Sequence, residues 1–395
     1  MSVSFVHWTD ADGAVHRAGT LTTIGPGLQR FTYDPAWLRG PGFALGEGLP
    51  VGNGPLLPPG GASEFGLFAD AGPDGWGRRV LARKLTPAPR RGTDFLLAAA
   101  DATRQGALRF STDPDGNLLS DGSAAPLTSL DALYEEVRAF QADPDSPGAF
   151  SRLLRAGTSQ GGFRPKAAVI EADGALWIAK FPAETDTWDI ETGEAAALAV
   201  AERAGLTTPD FRHVRVDADR AILLVKRFDR TRTGRLGYQS LRTAARLGPD
   251  DVLDYQLAAS VSGFLAGSVG IRATLEAAAL NIAVNNGDDH ARNTGFLQDG
   301  RGQWAPAPVF DIVPFPGPTS GTPLAPGDPN RSLQRLRTLD WGVPRGTVDE
   351  VVDRVEEAAG HLYAIAVERF GLDPEAAERA ERVRRTSASG LSASA

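Results

Sequence analysis

Asn285-Asn-Gly-Asp-Asp-His-Ala-Arg-Asn293 is a tight polar loop set between two apolar segments. Upstream, Arg272 to Asn285 has the pattern of a helix, and downstream Thr294-Gly-Phe-Leu297 has that of a strand. A loop in that position can present several side chains in one direction. A second loop, Phe310-Asp-Ile-Val-Pro314, adds an acid beside apolar residues. Two carboxylates and a carboxamide, Asp288, Asp311 and Asn293, therefore come from two separate loops. Magnesium takes hard oxygen ligands and commonly combines a few protein groups with phosphate oxygens. Asn293 and Asp311 supply such oxygens, and Asp288 supplies a carboxylate able to orient a hydroxyl and accept its proton. Phosphoryl transfer to a hydroxyl requires that division of labour. Gathered carboxylates repel, and a bound cation relieves the repulsion. The same residue types also cap helices and turns, so the loop alone does not decide the matter. His290 has no partner histidine nearby, in a chain with five, and fits a supporting role better than a metal ligand.

Three upstream elements extend the pattern. Lys180 closes the apolar run Trp177-Ile-Ala-Lys-Phe181, where an ammonium is costly unless it reaches water or an acid. Glu194, on the following helix, is the candidate acid, although an edge lysine on a surface hairpin is the plainer account. Gly157-Thr-Ser-Gln-Gly-Gly162 is rich enough in glycine for backbone N–H groups to approach phosphates, and Thr158 and Ser159 add hydroxyls. Its spacing is neither that of GxxxxGK[ST] nor that of GxGxxG, and by itself it reads equally as a linker. Leu223-Leu-Val-Lys-Arg-Phe-Asp-Arg230 is a buried strand whose exit at Phe228 could meet an adenine edge through its backbone, with Asp229 near a ribose. A simple strand end with Phe228 in the core is the alternative. The order is glycine loop, strand lysine, helix acid, strand exit, then Asp, Asn and Asp, and it follows the flow of a two-lobed kinase.

Composition removes other chemistries. With no cysteine there are no disulfides, thiolate nucleophiles or Cys-ligated zinc sites. A formal charge of -8 disfavours general binding to nucleic acid but excludes no small anion. No G-x-S-x-G elbow supports a serine hydrolase, and no H-E-x-x-H supports a metallohydrolase. No basic-then-apolar leader is evident and the apolar windows look too short to cross a membrane, so the cytoplasm is the expected location, with no membrane partner. Residues 1–147 read as strands followed by helices, with a break at Asp143 to Pro147. Residues 148–235 form a small mixed lobe, 236–385 a helical lobe, and 386–395 a flexible tail. Leu253 to Ala266 is a helix, and Val348 to Leu362 begins a helix ending near Gly371.

These segments resemble the HipA family, the serine/threonine-kinase toxins of bacterial type II toxin–antitoxin modules, over nearly the full length. Gly72-Pro-Asp-Gly-Trp-Gly-Arg78 and Gly106-Ala-Leu-Arg-Phe-Ser111 look like the family's N-terminal subdomain. Trp177 to Pro182, Val225 to Arg230, Gly287 to Asn293 and Phe310-Asp311 look like its kinase part. The resemblance implies an α+β, two-lobed, protein-kinase-like fold with a mixed N-terminal subdomain and an all-helical C-terminal lobe. It implies ATP and Mg2+ as cofactors, Asp288 as the catalytic aspartate, and Asn293 and Asp311 as magnesium ligands. Lys180, with Glu194, would serve the nucleotide phosphates, Arg227, Phe228 and Asp229 the nucleoside, and Gly161 and His290 would lie close to the nucleotide. Ser159 falls at the family's autophosphorylation position, where a phosphoryl group is associated with loop ejection and inactivation. The implied partners are a small helix-turn-helix antitoxin (HipB-like), operator DNA reached mainly through it, and a protein substrate, in some relatives an aminoacyl-tRNA synthetase. A small-molecule phosphotransferase of the same fold and a non-catalytic antitoxin/DNA scaffold are the alternatives.

Overall fold

Alternating apolar and polar residues open the chain, and in the computed structural model they form an antiparallel sheet. The structure describes residues 2–86, 88–89, 91–114, 118, 124–145, 150–159, 161–248, 251–315, 317 and 321–388, of which 386–388 are described by backbone alone. The chain divides into two compact units: residues 1–185, 225–239 and 297–303, and residues 186–224, 240–296 and 304–395. The expected break at 143–147 runs into residues 146–149, outside the described residues.

In the first unit, β1 (Ser2–Thr9), β2 (Val15–Ile24) and β3 (Leu28–Tyr33) form a meander, with the order β3-β2-β1-β4 once β4 (Leu108–Ser111) joins β1. The β1–β2 register shifts between Val6 and His7, and the inward side chains Val6 and Trp8 are buried. Against them pack α1 (Pro35–Arg39) and α2 (Gly66–Asp70), whose Trp37 and Phe68 join Phe31 and Phe110 in one core. The rings meet edge to tilted, Phe31 to Phe68 at 5.7 Å and Phe68 to Phe110 at 6.0 Å between centroids. Such pairs add ~0.5–1.5 kcal/mol each beyond the burial of their area. Next come α3 (Gly75–Lys84) and α4 (Gly92–Ala98), then β5 (Ala125–Pro126), α5 (Leu130–Ala142) and α6 (Leu153–Ala156). The strand β5 runs parallel to β6 (Lys166–Ile170), which pairs antiparallel with β7 (Leu176–Lys180) so that Lys166 faces Lys180 across the ladder.

The second unit begins with α7 (Ile190–Arg203), the helix of small residues expected there. Asp189 caps it, accepting from Thr192 N at 3.1 Å, and Gly205 ends it in the left-handed region at φ 70°. Then follow β8 (Phe211–Arg215), β9 (Ala221–Lys226), β10 (Gly237–Ser240) and α8 (Leu241–Ala244). The chain passes between units within β9 and β10. A 29-residue element, α9 (Tyr255–Ala283), leads to the polar loop. Its length and apolarity suit a membrane span, but the backbone breaks at Ala266 and at Gly267, whose φ is 58°. Thr274 Oγ1 then reaches back to Ser262 Oγ at 2.7 Å, so the element is a helical hairpin. Neither arm has the ~20 residues that a bilayer requires.

Past residue 236 the expectation of an all-helical lobe is corrected. Besides β10, the strands β11 (Gly295–Gln298) and β12 (Trp304–Pro306) occur there, separated by Asp299-Gly-Arg-Gly302. Gly300 and Gly302 both have positive φ, and that turn chemistry marks a strand pair rather than helix. The helix read from Val348 to near Gly371 is also two. After α10 (Leu333–Thr338), α11 (Arg345–Ala359) stops at Gly360 and α12 (Leu362–Phe370) starts two residues on. The side-chain stripe continues across the turn at Gly360 and His361, where the helical hydrogen bonding is interrupted. A last helix, α13 (Pro374–Ala388), was missed, although Asp373 before Pro374 is a start signal and accepts from Ala376 N at 2.8 Å. Its backbone runs into the expected tail, of which residues 389–395 lie outside the described residues.

Candidate active site

The polar loop is built by its asparagines. Asn285 takes φ 57°, a left-handed conformation that asparagine tolerates, and turns the chain out of α9. Its Nδ2 donates to the carbonyls of Phe315 and Gly317, at 2.7 and 2.8 Å. Asn286 is buried, and its Oδ1 accepts from Asp288 N at 3.0 Å and Val313 N at 3.2 Å. Gly287 N donates to Val313 O at 3.3 Å, and Asn286 bridges to Pro314. One carboxamide thus stitches the loop of Asp288 to the segment that follows Asp311. All of this lies in the second unit.

Asp311 itself sits at φ 54°. A non-glycine residue is held there only when its surroundings dictate it, and such positions gather at functional sites. Asn293 turns its Nδ2 inward to Asp288 O at 2.8 Å, while its backbone N–H donates to His290 O at 2.9 Å. With the amide nitrogen so engaged, Oδ1 is the ligand atom Asn293 offers. A carboxamide oxygen and a carboxylate are the hard donors that suit magnesium when phosphates complete its shell. Among the described residues no group of three His, Cys, Asp or Glu gathers as a cage. The Asp288 side chain is 69% exposed, with His290 Nε2 at 3.7 Å. Behind the loop, Leu280, Phe296, Phe310 and Ile312 line a cavity of ≈ 290 Å³, with Asn286 and Asn293 at its wall.

The first unit holds the glycine loop, apart from Gln160, which lies outside the described residues. Thr158 Oγ1 accepts from Ala100 N at 3.2 Å, and Ser159, only 4% exposed, shares a 2.5 Å hydrogen bond with Thr103 Oγ1. Gly162 has φ 82°, a conformation that favours glycine, and the Lys166 ammonium lies over it, 2.5 Å from where a Cβ would stand. The loop's mount comes from α3. Trp76, fully buried, receives the loop by donating N to Gly162 O and Nε1 to Lys166 O, both at 2.8 Å. Asp74 Oδ1 lies 3.6 Å from where a Gly161 Cβ would stand. Lys180 is buried at the end of β7 in this unit, while Glu194, also buried, belongs to α7 of the second.

At the exit of β9 the side chains expected near the nucleoside are engaged by the protein itself. Asp229 is 1% exposed, and its carboxylate is enclosed by protein donors. Arg227 Nε donates to Oδ1 at 2.8 Å and its Nη2 to Oδ2, Arg230 Nη1 lies 3.0 Å from Oδ2, and Gly106 N donates to Oδ2 at 2.6 Å. Burial alone would raise this carboxyl, but Arg227 and Arg230, with the Arg227 and Gly106 hydrogen bonds, hold it far below the usual carboxylate range. The Asp229 carboxylate and the Arg227 guanidinium are both taken up by protein partners. Together they fix the turn at 99–106, whose carbonyls of Asp101, Thr103 and Arg104 accept from Arg235, Arg227 and Arg230. Phe228, between them, is half-buried.

Residues 158–385 match the model for the HipA-like C-terminal domain, and residues 12–111 that for the HipA N-terminal domain. The chain belongs to the HipA family. It is similar to HipA of Shewanella oneidensis MR-1, solved with HipB and its operator DNA, at 18% identity and a TM-score of 0.67, covering 98% of this chain and 96% of that one. That likeness extends the expected α+β, HipA-like fold over both family domains. A second similar structure is the Helicobacter pylori proinflammatory kinase CtkA, at 12% identity and a TM-score of 0.42, covering 60% of this chain and 94% of that one. No curated protein matches.

In this HipA-family chain the C-terminal domain carries Asp288, Asn293, Asp311, Lys180 and Ser159, whereas Trp76, which mounts the glycine loop, comes from the N-terminal domain. Sequence reasoning missed Asn286 and Trp76. Their signals were present as the Asn pair before Gly287 and as Gly-Trp-Gly after a turn, but their partners are remote in sequence.

Proposed function

We propose that this HipA-family chain is an ATP- and magnesium-dependent serine/threonine protein kinase acting as the toxin of a toxin–antitoxin pair. The observation that carries the reading is the stitching of the Asp288 loop to the Asp311 segment through Asn286, with Asn293 Oδ1 left as a hard donor. Asn293 and Asp311 would hold Mg2+, which when bound neutralises charge on the nucleotide phosphates. Lys180 and the loop through Gly161 and Gly162 serve the phosphates, with Glu194 the acid assigned to Lys180, and the backbone at Phe228 serves the adenine. The exposed Asp288 carboxylate orients the acceptor hydroxyl. As the hydroxyl oxygen bonds to the γ-phosphorus and the bond to the β-phosphate oxygen breaks, Asp288 accepts the hydroxyl proton. His290, near Asp288, helps to hold that carboxylate. By analogy with the HipA solved with HipB and its operator DNA, the partner is a small HipB-like antitoxin through which operator DNA is reached. The proposed substrate is a protein hydroxyl, with an aminoacyl-tRNA synthetase the target that the family resemblance implies for some relatives, and the proposed setting is cytoplasmic. Incubation of purified protein with radiolabelled ATP and cell lysate tests the reading. Label on a protein band supports it, and label confined to small molecules favours a small-molecule phosphotransferase.

Asp311→Asn is the informative metal variant, because asparagine tolerates the left-handed backbone at this position. Magnesium-dependent nucleotide affinity is expected to fall by about 10- to 100-fold with the melting temperature nearly unchanged. Calorimetric titration with and without Mg2+ checks this, and parallel loss of folding would count against the metal role.

Ser159→Ala is expected to abolish self-phosphorylation and leave transfer to protein substrate intact. Ser159 is buried against Thr103, so the loop must leave that seat before the hydroxyl can react. Mass spectrometry after incubation with ATP is the measurement, and a phosphate found only elsewhere in the chain would remove Ser159 from the scheme.

A further inference from the structure

Asp288 and Asp289 are adjacent, yet the second unit treats them oppositely. The Asp289 side chain is 7% exposed. Its Oδ2 accepts from Tyr255 OH at 2.7 Å, Arg331 Nη2 at 2.9 Å and Thr322 N at 3.4 Å, and its carbonyl accepts from Thr322 Oγ1 at 2.9 Å. From Tyr255 the bonds return to the loop. Asn281 Nδ2 donates to Tyr255 OH and Asn286 Nδ2 to Asn281 Oδ1, both at 2.9 Å, and Asn286 Oδ1 accepts from Asp288 N at 3.0 Å. A closed ring of hydrogen bonds therefore holds the Asp288–Asp289 backbone from both sides. Burial, then the Asp289 charge, pushes the Tyr255 hydroxyl well above its ordinary value, so it remains a donor. Arg331 also donates Nε to Thr322 O at 3.2 Å, and Pro323 O accepts from Tyr255 N at 3.0 Å. The same carboxylate thus ties residues 322–331, which follow Asp311 in the chain, to the Asp288 loop.

We propose that Asp289, Tyr255 and Arg331 are positioning residues: a clasp that sets the direction of Asp288 for transfer and makes the loop's order depend on the seating of residues 322–331. The proposal rests on the kinase reading and adds to it a site of control outside the reacting atoms. A misplacement of ~1 Å at a reacting group can cost ~100-fold in rate, so a clasp of this kind acts on turnover rather than on nucleotide affinity.

Tyr255→Phe removes one hydroxyl and keeps the ring. It is expected to lower kcat about tenfold with KM for Mg-ATP within about twofold. Arg331→Gln behaves alike, Arg331→Lys recovers at least about a third of the lost turnover, and the double variant is no worse than about twice the poorer single, because both act through Asp289. A purely stabilising role predicts unchanged kcat in the folded variants, no rescue by lysine, and additive effects, and any of these overturns the clasp. If the wild-type protein binds Mg-ATP yet transfers nothing, the kinase reading fails and amide exchange judges the clasp alone. Faster exchange at 287–294 in Arg331→Gln then sustains it, and unchanged exchange overturns it.

Discussion

Asp288→Ala is expected to lower the single-turnover rate of phosphoryl transfer by at least about 100-fold while the protein stays folded and still binds Mg-ATP. The fold is spared because the loop is held by Asp288 backbone atoms: its N–H donates to Asn286 and its carbonyl accepts from Asn293. The side chain projects from that frame, 69% exposed. Removing it leaves Asn293 and Asp311, the proposed metal donors, in place. Rapid-quench transfer, nucleotide titration and thermal melting on one preparation check all three statements. A variant that keeps wild-type transfer would take proton acceptance away from Asp288, and one that melts early would make it a structural residue.

Asp229→Ala is expected to act in the opposite sense, on stability first. Two guanidinium groups and the Gly106 N–H close on this buried carboxylate, and alanine would leave Arg227 and Arg230 buried around an empty place. Breaking one partner out of a buried charge pair costs about 3–5 kcal/mol, a large share of the stability of an ordinary domain. Denaturant unfolding followed by tryptophan fluorescence measures it, and a loss under about 1 kcal/mol would show the cluster to be idle. The pH dependence has a definite sign. The folded carboxyl is depressed, while in the unfolded chain it titrates near ~3.9. Its contribution is therefore complete at neutral pH and lost as the pH falls below about 4, and the alanine variant should show a flatter acid limb.

How much was legible in the sequence follows from where partners lie. The loop of residues 285–293 could be read because its chemistry is local: helix, turn and donors fall within one short window. The reversal of α9 was legible too, because its two arms read as separate helices on either side of Gly267. Asp288 and Asp289 were indistinguishable as letters. Tyr255 and Arg331, 34 and 42 residues from Asp289, decide which of the two is buried. Arg227 and Asp229 are a related case, because their partners are also remote in sequence. Charged residues at a strand exit resemble a ligand contact until the carbonyls of residues 101–104 are seen to absorb the guanidinium groups.

The mount supplied by Trp76 bears on how proteins of this kind can be divided. The glycine loop opens the C-terminal family domain, but the indole that seats it belongs to the N-terminal one. A gene split between those domains would encode a C-terminal half whose glycine loop has no cradle until the other polypeptide docks. Separate expression of the halves would then place the order of that loop, and with it the proposed phosphoryl transfer, under the control of their reassembly.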